Sequence, residues 1–330
     1  MPGSATDLRK QLLQAGLAKG VIDAAWPEWW SDEGDASRSA RTELRYELAR
    51  RLGLSPRALL DEHVEFSRSK NARFKHLTAE TADQQALLAS FGSALGSLLV
   101  RATPVSAFDL PRDPKVLREA ILESNQFVSL ESLLAVCWAT GLPVIQLRVF
   151  PMTAKRMHAM VSASRSRFAI MIGFDAGYPA RAAFTLAHEL GHIALGHLDG
   201  EGAIIDLDEV GRGTETDAQE RAADEFALTL LAGSPRPEIT SSLTRYNSTS
   251  LATAVVEQAP ALGIEPATLV LCLAYQTGEW GKATSALRQI YGEPRPIWTF
   301  LNALAERELE WDELGDEAGD YLRRVMGAGA

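Results

Sequence analysis

Hydrophobic side chains recur at helical spacing over most of this 330-residue chain. Leu44, Leu48 and Leu52 stand four positions apart, so all three lie on one face of a helix. The same periodicity predicts helices over residues 5–17, 82–100, 128–141 and 217–233, and over much of the chain after residue 250. Prolines and glycines separate these segments. The chain is therefore predicted to be largely helical.

One region departs from the helical pattern. Residues 143–150, 157–164 and 167–173 are short, rich in Val, Ile, Met and Phe, and separated by polar breaks, which is typical of strands. They predict a small sheet within a mostly helical α+β protein. Because Pro104, Pro111 and Pro114 interrupt the helices before this region, we expect three domains. They are a helical, helix-turn-helix-like domain (1–103), a central domain with the sheet (115–238) and a helical C-terminal domain (239–330).

Composition narrows the class of protein. The hydrophobic fraction of 46% can form a sizeable core, and the net charge of −10 argues against a protein that coats nucleic acid. Cys137 and Cys272 lie in apolar runs, which predicts buried thiols in a reducing compartment; a Cys ligand to a metal is the alternative. The chain shows neither a signal peptide nor a run of the ~18 apolar residues that a membrane span requires. We expect a cytoplasmic protein without membrane contact.

The charge is uneven, and residues 36–77 are basic, with ten Lys or Arg and five Asp or Glu. Within them, LGLSPRALL resembles the centre of a helix-turn-helix, with a turn at Gly53, Ser55 as N-cap and Pro56 first in the next helix. The acidic residues 61, 62 and 65 would repel DNA phosphates. The pattern leaves open a DNA-binding module or a helical domain of the same shape. The basic candidates for DNA contact are Arg50, Arg51 and Arg57.

The segment FTLAHELGHIALGH, residues 184–197, carries three of the six histidines of the chain. His188 and His192 are four residues apart, which places their Cβ atoms ~5–6 Å apart on one helix face. Both rings can therefore bind one zinc ion (Zn²⁺) at ~2.0–2.1 Å. Glu189 lies one step round the helix, where it can act on a water molecule. This HExxH spacing is typical of zinc-dependent peptidases; the alternative is a His pair satisfied by other groups.

Such a zinc site needs a third protein ligand. His197 comes nine residues after His188, on the opposite side of a continuous helix; if the helix ends at Gly196, His197 can turn toward the substrate. Glu220 in the next helix fits better as the ligand. Asp224, four residues later, shares its face and can accept the N–H of a ligating His. Alternatively, Glu220 and Asp224 belong to an ordinary exposed acidic face of the helix. The other candidates for the third zinc ligand are Glu225 and Glu215.

RAAFTLAHELGHIALGH, followed by ERAADEFALTLL, resembles the ImmA/IrrE family of metallopeptidases over about residues 140–235. The chain departs at LLAGSP, where the family often has Leu-Met-Pro. The resemblance implies a zincin-like, gluzincin-type protease core with a small sheet and an HExxH helix in residues 115–238. It also favours a DNA-related module in the N-terminal region, since many members carry or accompany a helix-turn-helix. The matching positions are Arg181, Phe184, Thr185, 187–192, Glu220, Ala223, Asp224, Phe226 and Ala227.

The resemblance implies a regulatory zinc endopeptidase that cleaves a specific partner, a repressor-type transcription factor, in a stress or phage-related response. Glu189 would move a proton from the attacking water to the leaving amine. The rival hypothesis is a DNA-binding regulator or antitoxin whose metallopeptidase-like domain senses or binds a partner. A purely structural zinc site is disfavoured, because such sites usually have four protein ligands. The candidates for contact with the oxyanion are Tyr178, Arg181 and His197, with a structural ion pair as the alternative for Arg181.

Overall fold

The computed structural model describes residues 3–67, 72–75, 81–152, 157–198, 202–206, 218–239 and 246–327. These residues form many helices around one small mixed sheet, which confirms the predicted α+β, mostly helical class. The N-terminal and central helices are α1 (Ala5–Gln14), α2 (Lys19–Ala25), α3 (Arg38–Leu52), α4 (Pro56–Leu60), α5 (Ala82–Arg101), α6 (Pro114–Leu122), α7 (Leu130–Ala139), α8 (Pro179–Ala194) and α9 (Ala218–Ala232). The C-terminal helices are α10 (Ser248–Leu262), α11 (Pro266–Thr277), α12 (Trp280–Tyr291), α13 (Ile297–Glu308) and α14 (Asp316–Met326).

The sheet has five strands, β1 (Ala72–Lys75), β2 (Val144–Gln146), β3 (Ala159–Ser164), β4 (Arg167–Ile172) and β5 (Gly202–Asp206), in the order β1-β5-β3-β4-β2. Strands β3 and β4 form an antiparallel hairpin; its two loop residues, Arg165 and Ser166, have φ of 51° and 60°, as a type I′ turn requires. Strand β5 is antiparallel to β3, whereas β2 joins β4 and β1 joins β5 in parallel. The three predicted strands form, and β1 and β5 were not predicted.

The two faces of the sheet pack against different helices. Met160 and Met171 belong to the core cluster that contains α5, whereas Val161 and Ile170 belong to the cluster that contains α7, α8 and α9. This division follows from the strand geometry, because successive side chains point to opposite faces. The sheet therefore lies between α5 on one side and the histidine-bearing helix α8 on the other.

Helix α5 approaches strand β3 closely. A Cβ at Gly92 would overlap the Sδ of Met160, and one at Gly96 would overlap the Oγ of Ser162. Glycine at these two helical positions costs roughly 1 kcal/mol each in helix propensity relative to alanine. It allows the helix to pack against the strand, so the N-terminal helices share a core with the sheet.

The predicted turn after α3 has the expected chemistry, but the second helix is short. Gly53 has φ of 70°, and the Oγ of Ser55 accepts a hydrogen bond from the amide of Ala58. Helix α4 then ends at Leu60 after five residues. A recognition helix of ordinary length does not follow the turn, so this part of the helix-turn-helix expectation needs correction.

The structure also corrects one candidate for DNA contact. Arg51 is 2% exposed, and its guanidinium donates to the backbone oxygen of Ala25 at 2.8 Å and to the carboxylate of Glu317 at 2.7 Å. It therefore ties α3 to α2 and α14 and is not available to a phosphate. Arg50 and Arg57 are exposed, and their predicted contact with DNA stays a prediction.

The C-terminal helices contribute to all three hydrophobic cores, with Leu301 of α13 in the core that contains α7, α8 and α9. Helices α10, α11 and α12 pack in a cluster of their own with Ala180 and Ala232, whereas α14 contributes Tyr321 to the core of the N-terminal helices. The hydroxyl of Tyr321 donates to the backbone oxygen of Arg51 at 2.9 Å. The three-domain division stays a prediction. Within the described residues no single helix is both long and apolar enough to cross a membrane; only the pair α10 and α11, bent by 113°, meets that test when taken together.

The two cysteines are buried free thiols, as predicted. Burial raises the pKa of Cys272 to about 11 and that of Cys137 above its usual range. Each lies within an apolar segment of its helix, α7 or α11. Neither belongs to the metal-ligating cluster found among the described residues.

Candidate metal centre

Helix α8 presents both histidines and stops just beyond them. It begins with Pro179 in its first turn, and it ends at Ala194 because Gly196 adopts a left-handed φ of 70°. The amide of Gly196 bonds to the oxygen of Ile193, and that of His197 to the oxygen of His192 at 2.9 Å. This is the pattern of a Schellman cap. The cap turns the chain back, so that His197 lies beside His192.

The rings of His188 and His192 and the carboxylate of Glu220 converge. The two Nε2 atoms are 3.0 Å apart, and the Glu220 oxygens lie 3.3 Å from His188 Nε2 and 3.4 Å from His192 Nε2. In a tetrahedral site with bonds of ~2.0–2.1 Å, neighbouring ligand atoms are about 3.3–3.4 Å apart. Within the described residues this is the group of His, Cys, Asp and Glu side chains that could hold a metal ion. The donor set and its spacing fit zinc.

Close packing of α8 on α9 places Glu220 beside the two histidines. A Cβ at Gly191 would lie 3.1 Å from the Cα of Ala223 and 3.2 Å from the Cβ of Phe226. Both contacts are tighter than side chains usually make, so a residue without a Cβ at 191 lets the two helices meet. Glu220, one turn before Ala223 on α9, then reaches the ligand face of α8. The glycine of HELGH therefore has a packing role in this chain.

The site is buried and favours a charged carboxylate. His188, His192 and Glu189 are at most 1% exposed, and Glu220 is 9% exposed. Burial acts to raise the pKa of Glu220, but hydrogen bonds and charge interactions with His188 and His192 outweigh it and hold that pKa well below its usual range. A carboxylate that remains ionised beside two ring nitrogens is suited to bind a cation.

Two residues contact the outer nitrogens of the candidate ligands. Asp224 Oδ1 lies 2.9 Å from His188 Nδ1, in the arrangement predicted from the spacing of Glu220 and Asp224. His197 Nδ1 lies 2.8 Å from His192 Nδ1, so one ring donates to the other. When Nε2 of each ligand holds a metal ion, Nδ1 carries the proton and donates to these partners. His197 thus contacts the ligand His192 on the side away from Glu220.

The remaining predicted residues lie farther along α8. The hydroxyl of Tyr178, at the N-terminus of the helix, donates to the backbone oxygen of Gly292 at 3.2 Å. Arg181 lies over the ring of Phe174, with its guanidinium carbon 5.4 Å from the ring centre. Arg181 precedes His188 by seven residues, or about 10 Å of helix. Their predicted role at the oxyanion stays a prediction.

One histidine near the site was not predicted. His158 precedes β3, stacks on Phe174 with the ring centres 4.2 Å apart, and has Nε2 3.4 Å from Thr185 Oγ1. Burial, together with the charges of Arg181 and His188, lowers its pKa to about 4. It is therefore a neutral ring near the candidate ligands at neutral pH. The scarcity of histidine in the chain was the signal that could have drawn attention to it.

Residues 152–238 match the model of a peptidase family described as an IrrE N-terminal-like domain. This segment is therefore similar to that family. The match includes α8, α9 and all three candidate ligands, and it confirms the resemblance found in the two sequence motifs. The region that resembles a helix-turn-helix lies outside the matched segment. Comparisons with curated proteins and with solved structures gave no match.

Proposed function

We propose that this protein is a zinc-dependent endopeptidase. The observation that carries the proposal is the convergence of His188, His192 and Glu220 at 3.0–3.4 Å, close to the spacing of about 3.3–3.4 Å between neighbouring corners of a tetrahedral zinc site. Two features support it: a buried glutamate directly follows the first histidine, and residues 152–238 are similar to a peptidase family. With three protein ligands, a fourth position remains for water and substrate.

The residues around the candidate metal centre have three proposed roles, which are metal binding, orientation of the ligand rings and proton transfer. His188, His192 and Glu220 would hold the ion, while Asp224 and His197 orient the two rings through their Nδ1 atoms. A bound zinc ion would supply Lewis-acid chemistry, polarising the peptide carbonyl and acidifying a water molecule. Glu189 would accept the proton of the attacking water and pass it to the leaving amine. The burial of the site excludes bulk water and strengthens these electrostatic interactions.

For the substrate we propose a specific partner, a repressor-type transcription factor cleaved in a stress or phage-related response. This part of the proposal rests on the resemblance to the ImmA/IrrE family. The almost complete burial of the candidate ligands also favours a narrow range of substrates. Only a polypeptide segment that can reach the buried site would be cleaved.

The test is the amount of zinc bound per chain, measured by elemental mass spectrometry, together with cleavage. Wild type should hold about one zinc ion and Glu220→Ala far less, while Glu189→Gln should keep the metal and lose cleavage. Glu225→Ala is the matched control, since Glu225 is on the same helix, exposed and paired with Arg236. Folded wild-type protein that binds no added zinc would refute the proposal.

A second proposal, DNA binding by residues 36–77, is supported by the exposed side chains of Arg50 and Arg57. If the peptidase-like domain only senses a partner, Glu189→Gln should leave the cellular response intact. Charge reversal of both arginines should then weaken DNA binding and reduce its dependence on salt. DNA binding is measured by an electrophoretic mobility shift assay. If the double variant binds DNA with the same affinity as wild type, this second proposal fails.

A further inference from the structure

A groove of about 600 Å³ lies between α8, α9, α11 and α12, and its lining includes Asp224 and the two oxyanion candidates Tyr178 and Arg181 but none of the candidate ligands. Its walls include Phe184 of α8, Leu228 of α9, Leu271 of α11 and Trp280 of α12. The volume is within the range of sites that bind small ligands or single side chains, about 300–1,000 Å³. Aromatic and aliphatic walls favour an apolar occupant.

The groove is continuous with the candidate metal centre. On α8, His188, Phe184 and Ala180 are spaced by four residues and form one stripe. On α9, Glu220, Asp224 and Leu228 form a second stripe. His192 contacts Glu220, and His188, one turn earlier on α8, also contacts Asp224, one turn later on α9, so the two helices run antiparallel. Each stripe therefore begins at a candidate ligand and continues into the groove.

The helix geometry sets the distance between the two sites. Phe184 and Ala180 precede His188 by four and eight residues, which correspond to about 6 and 12 Å along the axis. An extended peptide advances about 3.3 Å per residue. A chain that passes the ligands would place in the groove a side chain about two to four residues from the cleaved bond.

The outer wall of the groove is apolar and exposed. Tyr275 is 46% exposed and Trp280 is 37% exposed, and their rings meet edge to face with centres 4.8 Å apart. Adjacent exposed aromatic rings beside a concave surface mark sites of interaction with other chains. Arg181 and Arg236 also line the groove, so polar groups are present to orient a peptide backbone.

We propose that this groove is the specificity pocket of the protein, and that it receives a large apolar side chain, aromatic or aliphatic, of the polypeptide substrate two to four residues from the cleaved bond. The inference rests on the proposed peptidase function for the identity of the occupant. It assigns selection of the substrate to Leu228, Leu271 and the Tyr275–Trp280 pair, which are separate from the residues that hold the metal.

The test measures binding without cleavage. The zinc-loaded Glu189→Gln protein is immobilised and exposed to a library of random dodecapeptides, and the retained peptides are sequenced by mass spectrometry. We expect enrichment of Phe, Tyr, Trp, Leu or Met at one position. Adding Leu228→Trp, which fills the groove, or Tyr275→Ala, which removes part of its wall, should reduce retention about tenfold or more. Tyr46→Ala is the control, because Tyr46 on α3 is 46% exposed, as Tyr275 is.

Equal retention by the groove variants and the control, or no apolar enrichment at all, would overturn the proposal. Incubation of the retained peptides with zinc-loaded wild type separates this failure from failure of the proposed function. Loss of retention in the groove variants without cleavage by wild type keeps the pocket and refutes the peptidase. Cleavage by wild type with an unchanged preference in both groove variants keeps the peptidase and refutes the pocket.

Discussion

Replacement of Asp224 by alanine should weaken zinc binding by about 10- to 100-fold. Asp224 Oδ1 lies 2.9 Å from the Nδ1 of His188, across the contact between α8 and α9. The carboxylate holds the ring so that its Nε2 faces His192 and Glu220, and its charge makes that nitrogen a stronger donor to a cation. The expected loss corresponds to about 1.4–2.8 kcal/mol of binding free energy.

The fold should tolerate this replacement. The side chain of Asp224 is 32% exposed, so its removal leaves no cavity within the core. The melting temperature of the metal-free protein should change by less than about 3 °C. Asp224→Asn provides an intermediate case, because its amide oxygen can still accept the N–H of His188 but carries no charge. Its loss of zinc affinity should be smaller than that of alanine.

The assay is competition for zinc against a chromophoric chelator at neutral pH, with Glu225→Ala as the control from the same helix. The order of affinity should be wild type, then Asp224→Asn, then Asp224→Ala, with Glu225→Ala equal to wild type. If Asp224→Ala binds zinc within twofold of wild type, the hydrogen bond to His188 does not orient the ligand. That result would refute the reasoning even if His188 remains a ligand.

Three further predictions concern packing, protonation and the second ring contact. Gly92→Val should lower the free energy of unfolding by about 1–3 kcal/mol through its clash with the sheet, whereas Gly20→Ala, in open space, should have little effect; urea unfolding measures both. The pKa of His158 is lowered from 6.5 to about 4, so the unfolded chain binds more protons between these values. His158 should therefore contribute about 3 kcal/mol to the stability that the metal-free protein loses from pH 7 to pH 4, and His158→Gln should remove this contribution. His197→Ala should reduce zinc affinity about tenfold in the chelator assay, because His192 loses the partner of its Nδ1; unchanged affinity would exclude that role.

The ligand geometry could be predicted from the sequence because it depends on local spacing. His188 and His192 share a face whatever else the chain does, and Glu220 and Asp224 do so on the next helix. These shared faces require only that α8 and α9 form. The close contact of the two helices at Gly191 and Ala223, which brings the faces together, was not predicted.

Other features depend on contacts that are distant in sequence. Strand β5 has only five residues and becomes a strand by pairing with both β3 and β1. The nearness of His158 to His188 likewise arises from the packing of β3 beneath α8. Helix α4 ends after five residues, just before Glu62 with its φ of 64°, and the chain then returns so that Phe66 pairs with Leu54.

Arg51 differs from these cases, because its position could have been predicted. It follows Leu44 by seven residues and Leu48 by three, so it lies on the apolar face of α3. The basic composition of residues 36–77 suggested that Arg51 is a surface charge. Its position on the apolar face of α3 instead places it in the interior. There its long side chain spans to the backbone oxygen of Ala25 and the carboxylate of Glu317, which satisfies the buried charge.

The stripe on α9 allows metal binding and substrate selection to be separated within one helix. Glu220 contacts the ligand histidines and does not line the groove, Asp224 contacts His188 and also lines the groove, and Leu228 lines the groove without contacting a candidate ligand in the described ion pairs. Substitution of Glu220 should therefore remove zinc, and substitution of Asp224 should weaken the binding of both zinc and peptide. Substitution of Leu228 should weaken the binding of peptide alone. A Leu228→Trp variant that loses zinc, or a Glu220→Ala variant with an altered peptide preference after its zinc is lost, would show that the two sites are not arranged along this helix as the structure indicates.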